Sequence, residues 1–118
     1  ILVIASLFSV KALEKVWIDS ETRTVRDAEE RHIIFHGVNI VINRHLIFQI
    51  HKCMIVNLLT DKDIDNLKNW GFNFVRLGVM WEAVETAPGV YNDTYLSEVD
   101  ALITKLGKKG IYTLVDAH

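Results

Sequence analysis

The sequence has one proline, one cysteine and six glycines, and it carries no long run of charge of one sign. Such sparing use of proline and glycine excludes a collagen-like chain or a proline-rich linker. With one thiol, Cys53, no disulfide can close within the chain, and the residue reads as a small buried hydrophobe rather than a reactive group. Thirteen basic residues stand against fifteen acidic ones, for a formal net charge of -2. That balance leaves no electrostatic footprint for nucleic acid or an anionic membrane. The apolar opening, ILVIASLFSV, is too short for a bilayer-spanning helix, which needs about 20 residues.

What is present is globular in composition, with 50% hydrophobic and 24% charged residues in 118. The opening stretch has two readings. It is the apolar core of a secretory signal, with Val10 and Ala12 suited to the small positions before a cleavage site, or it is a first buried strand. The chain starts without Met and stops in IYTLVDAH, a strand with no turn or helix after it, so the expectation is a chain cut at both ends.

Along the chain, residues 16–35 read as an opening hairpin: VWID, a polar turn through Ser20 and Glu21, TRTVRD, then a second turn into RHIIFHGVN. Ile33, Ile34 and Phe35 are expected to form a core strand that ends in Gly37, Val38 and Asn39. Residues 40–59 show no clean period and read as a long loop with room for a short helix. Thr60 is placed to cap a helix on the amide of Asp63; Ile64, Leu67 and Trp70 mark its apolar face, and Gly71 stops it. FNFVRLGV follows as a strand and GVMWEAVETAPGVYN as a loop. Asn92 or Asp93 caps a second helix carrying Tyr95, Leu96, Val99, Leu102, Ile103 and Leu106 on one face. Strands separated by such helices pair in parallel through right-handed crossovers.

Each of the three strands is apolar and then turns polar: Asn39 on the first, Arg76 on the second, Asp116 and His118 on the third. In parallel α/β folds ligands bind at the carboxyl edge of the sheet. Alternation puts these residues around one cavity mouth if the faces converge; equally, Arg76 can be a structural ion-pair partner and His118 a frayed end. Trp81 suits stacking on a sugar ring, or plain packing. Glu82 and Glu85 lie three residues apart in one loop, a poor match to glycosidase carboxylates that flank a bond about 5 to 9.5 Å apart. His36, His45 and His51 lack metal-site spacing, and Gly37-Val38-Asn39 lacks the further glycines of a phosphate loop. No metal or cofactor is implied. Asn92 opens an Asn-Asp-Thr glycosylation sequon and can also serve as a helix cap.

HGVNIV, LKNWGFNFVRLGVMWEAVETAPGVYNDTYL and GIYTLVDAH together resemble the amino-terminal portion of endoglycoceramidase-like enzymes in glycoside hydrolase family five, from Val16 to His118. The resemblance implies a TIM (β/α)8 barrel, of which this α/β chain would supply the opening hairpin, the first three strands and two helices. It divides the chain into a signal-peptide remnant at 1–15 and a partial barrel at 16–118. It implies retaining hydrolysis of O-glycosidic bonds by two glutamates after the fourth and seventh barrel strands, beyond residue 118. On this resemblance Arg76 and His118 are active-site supports, and Asn39, Trp81, Asp116 and His118 bind substrate. The family commonly has lysine four residues after the Asn of GVN, where this chain has Asn43. The implied substrate is the β-linkage between glycan and ceramide in glycosphingolipids, with membrane lipid met only through the substrate and a secreted or lysosomal location. The alternatives are a β-1,4-glucanase-type polysaccharide hydrolase and a noncatalytic, truncated glycan-binding chain.

Overall fold

A computed structural model describes residues 13–41 and 59–117. The expectations for the signal-like opening, most of the loop at 40–59, Asn43, Cys53, His45, His51 and His118 fall outside the described residues.

Strands β1 (Trp17–Asp19) and β2 (Thr24–Arg26) pair antiparallel, as the hairpin reading requires. Asp19 builds the turn between them. Its Oδ1 accepts from the amides of Glu21 (3.0 Å) and Thr22 (3.3 Å), while Oδ2 takes the Arg26 Nε–H at 2.8 Å. This is the local side-chain bonding that makes aspartate a turn former. Asp27, only 5% exposed, does the same one turn later, accepting from the amides of Glu29 and Arg31 and from Arg31 Nε.

The expected core strand at 33–35 is not there. Ile34 is 84% exposed, and β3 runs instead over Gly37–Val41. Asn73 explains the shift: its Nδ2 donates to the Ile34 carbonyl (3.0 Å) and its Oδ1 accepts from the His36 amide (2.8 Å). Segment 34–36 is thereby held through Asn73, by its side chain at Ile34 and His36 and by its amide at the His36 carbonyl (3.0 Å), and strand β3 begins at Gly37.

The next element, α1 (Asp61–Asn69), starts at Thr60 with a complete capping box to Asp63. Ile64 and Leu67 are buried as expected, but Trp70 is not on the buried face. It caps the carboxyl end of the helix and is 68% exposed. At that end the Phe72 and Gly71 amides donate to the carbonyls of Leu67 and Lys68, the paired bonds of a Schellman motif. β4 (Phe74–Val79) follows.

Between β4 and the last helix the expected loop holds three short elements: α2 (Trp81–Val84), β5 (Glu85–Ala87) and β6 (Val90–Tyr91). α3 (Asp93–Lys108) is capped by Asn92, whose Oδ1 accepts from the Tyr95 amide at 3.1 Å. Tyr95, Val99, Leu102 and Leu106 are buried, whereas Leu96, expected on the same face, is exposed at 39%. β7 (Tyr112–Ala117) closes the described chain.

β3, β4 and β7 form a parallel sheet in that order, the start of a (β/α)8 barrel. Because register partners in a parallel sheet point to the same side, every second residue of β4 faces the helices. Val75 and Leu77 are fully buried there and Val79 nearly so, with Ile64, Tyr95, Leu106 and Ile111 packed over them. Each such side chain contributes about 1.5–3 kcal/mol by leaving water. The other face carries Gly37, Asn39 and Val41 beside Phe74, Arg76 and Gly78, beside Tyr112, Leu114 and Asp116. Its amino-terminal end is closed: the Phe35 ring lies 4.7 Å from Phe74 and 5.6 Å from Tyr112, and the Tyr112 hydroxyl donates to the Glu14 carbonyl at 3.0 Å. The segments that flank the opening hairpin, at Glu14 and Phe35, thus form the floor of this face among the described residues.

Candidate functional site

The register places Asn39, Arg76 and Leu114 on one rung of the sheet, with Asp116 two residues further along β7, opposite Gly78. All four belong to the face that the helices do not cover. Asn39 and Arg76 are thus mid-strand residues, and their strands continue beyond them to Val41 and Val79. Among the described residues, the expectation that polarity marks the strand end holds for Asp116 and not for Asn39 or Arg76. What placed the other two correctly was alternation, since Asn39 shares its face with Gly37 and Arg76 with Phe74.

Gly78 carries no side chain between Arg76 and Asp116, and the two form an ion pair diagonally across it, Arg76 Nη2 to Asp116 Oδ2. The side chains are 42% and 26% exposed. The guanidinium is partly in water while the bridging Asp116 oxygen is buried. The effect of the pair is on geometry. The carboxylate holds the guanidinium against the face while leaving other donors available, and a planar fork of donors suits a carboxylate or a sugar hydroxyl.

At the carboxyl end of β4, Trp81 begins α2 and is 49% exposed. Its indole N–H donates to Glu85 Oε2 at 2.8 Å, and Glu85 Oε1 accepts from the Gly89 amide at 2.7 Å. Gly89 has φ +74°, and with Pro88 it makes the two-residue turn between Ala87 and Val90. The Pro-Gly pair flanked by ETA and VY was the signal for this hairpin. Glu85 is therefore engaged within its own loop, which removes it from an acid/base pair with Glu82. Asn92 likewise has a structural task as the cap of α3.

Among the described residues, Glu14, Asp27 and Glu29 bring ligand-type oxygens within 4.8 Å of one another. The oxygens of Asp27 are already taken by three N–H groups of its own hairpin, so the cluster is a clasp of that hairpin. No helix among the described residues is long and apolar enough to cross a membrane.

A three-stranded parallel sheet with helices on one face and an Arg–Asp pair on the other matches the opening of a (β/α)8 barrel. The family model for cellulase (glycosyl hydrolase family 5) matches residues 42–118, and the chain belongs to that family. Within it the chain is similar to endoglycoceramidases. That of Hydra vulgaris is 30% identical over all of this chain and 23% of its own length, and that of Cyanea nozakii 32% identical over 86% of this chain and 20% of its own. Among solved structures, an exo-β-1,4-mannosidase from an Opitutaceae bacterium superposes with a TM-score of 0.65 at 28% identity, over 85% of this chain and 17% of that one. Endo-glycoceramidase II from Rhodococcus sp. superposes with a TM-score of 0.59 at 28% identity, over 77% of this chain and 20% of that one. The chain spans less than a quarter of the length of these relatives.

Proposed function

We propose that this chain is part of a retaining glycoside hydrolase that cleaves the β-linkage between glycan and ceramide in glycosphingolipids. The observation that carries this reading is the Arg76–Asp116 pair, which rests on the uncovered barrel face beside Asn39. A guanidinium on an inner barrel face, steadied by one carboxylate and with further N–H donors, suits a carboxylate or hydroxyl ligand. In the retaining mechanism one carboxylate attacks the anomeric carbon while a second carboxyl protonates the leaving oxygen. Arg76 would hold the attacking carboxylate ionised through a charge-assisted hydrogen bond, and Asp116 would keep Arg76 in place. Asn39 and His118 would donate to and accept from sugar hydroxyls, with Trp81 stacking on the ring at the rim. The similarity to endoglycoceramidases supports ceramide-linked glycans as the substrate.

A second reading, a β-1,4-linked polysaccharide as substrate, is favoured by the match to the cellulase family model and by the likeness to an exo-β-1,4-mannosidase. Release of ceramide from a ganglioside, set against release of sugar from cello- and manno-oligosaccharides, separates the two. In the full-length enzyme, Arg76→Lys and Arg76→Ala should lower kcat by about 100-fold or more, the scale on which a positioned electrostatic group acts. Activity within about twofold of wild type would remove Arg76 from the site, as that difference is below 1 kcal/mol.

A further inference from the structure

We infer that Glu85 is a positioning residue that fixes the Trp81 indole at the rim of the cleft for contact with the glycan; this rests on the glycosidase reading above. The carboxylate makes two bonds to two different parts of the loop, Oε2 to the Trp81 indole N–H (2.8 Å) and Oε1 to the Gly89 amide (2.7 Å). Bonds of an ionised carboxylate to N–H donors are roughly twice as strong as neutral ones.

The backbone around Glu85 is secured without this carboxylate. Val84 is buried at 7% exposure, its carbonyl accepts the Asn92 amide at 2.8 Å, and β5 pairs with β6. Besides the Gly89 amide, what the carboxylate restrains is the indole, which is half in water. A ring that stacks on a sugar gains affinity when its plane is set before the ligand arrives, because the ordering cost is not met at binding. Trp81 stands at the first position of α2 and Glu85 directly follows its last, so the bond spans the single helical turn between them. The register partner of Glu85 is Tyr91, so the carboxylate, the indole it holds and the half-exposed Tyr91 ring occupy one side of the hairpin, at the carboxyl end of β4.

The test uses the full-length enzyme with 15N-labelled tryptophan, in which the Trp81 indole N–H resonance is the one lost in Trp81→Phe. Glu85→Ala should shift that resonance upfield and speed its exchange with water by about tenfold, as expected when a bond of about 1.4 kcal/mol is lost, and leave the other indoles unmoved. With p-nitrophenyl β-lactoside as the probe substrate, KM should rise by about fivefold with kcat within about twofold, the signature of lost uniform binding. Glu85→Gln, which keeps one acceptor oxygen, should recover part of both effects and serves as the comparison if the alanine variant does not fold. An unmoved Trp81 resonance in Glu85→Ala or Glu85→Gln overturns the proposal. So does a KM that rises in Trp81→Ala but not in the Glu85 variants. Loss of the indole bond with no turnover of any glycoside by the wild type leaves the geometry standing and overturns the glycosidase reading beneath it.

Discussion

Single aspartates carry much of the local order in this chain. The Asp19 carboxyl is lowered to about 2, first by the Thr22 hydroxyl, then by the Glu21 amide, with Arg26 adding its charge. Burial pushes Asp27 upward, but the Arg31 side chain and the amides of Arg31 and Glu29 outweigh it and hold the group below its usual value. Since both folded-state values are depressed, the stability they contribute is present above the unfolded carboxyl value and is lost as pH falls through the folded one. For Asp19 that window runs from about 4 down to about 2. Asp19→Asn should therefore melt below wild type at neutral pH, and the gap in Tm should close as pH is lowered across the window. A gap that stays constant from pH 6 to pH 2 would show that the turn does not depend on the charge, a range wide enough to cover both values. The sequence located the turn at Ser20 and Glu21, but the part of Asp19 in it was not legible, because which amides and which arginine meet the carboxylate is decided by strand pairing.

Elements were readable where local chemistry and period agreed. Thr60 with Asp63, and Asn92 with Tyr95, announce both long helices, and the spacing of Val99, Leu102 and Leu106 names the buried face of α3. Trp70 misled because periodicity counts an apolar residue without knowing that the helix has ended; one residue before Gly71 it belongs to the cap. The start of β3 was hidden for a different reason. Asn73, some 37 residues away, decides that Ile34 to His36 lie off the ladder, and no local pattern reports a long-range side-chain bond. Gly37 is where β3 can begin, because a Cβ there would fall on the Phe74 carbonyl oxygen, well inside van der Waals contact. Gly37→Ala should thus part the β3–β4 pair. We expect a loss of about 3 kcal/mol or more, read by denaturant unfolding, since the obstruction is backbone and cannot rotate away. A loss below about 1 kcal/mol would mean that the two strands can slide apart at little cost.

On the scale of the whole molecule the sheet is asymmetric. Val75, Leu77 and Val79 are sealed by α1 and α3, whereas Val41 and Leu114 on the opposite face are 55% and 51% exposed. That face also holds Asn39, Arg76 and Asp116, so the site lies within exposed hydrophobic surface, and on the helix side of β7 Val115 is 49% exposed as well. The sequence could indicate this only in part: alternation tells which residues share a face, but not which face the helices will cover. β3 and β7 are both edges of the described sheet, with backbone groups turned outward. A barrel removes such edges by closing, and an unclosed one offers them to other chains. Residues 1–118 produced alone should accordingly bind a hydrophobic dye, melt without a steep transition and associate at micromolar concentration. The measurement is calorimetry with sedimentation on the same sample. A monomer with one sharp, reversible transition would mean that the inner face is covered from within these residues. The Arg76–Asp116 pair would then be part of a closed core and not of an open cleft.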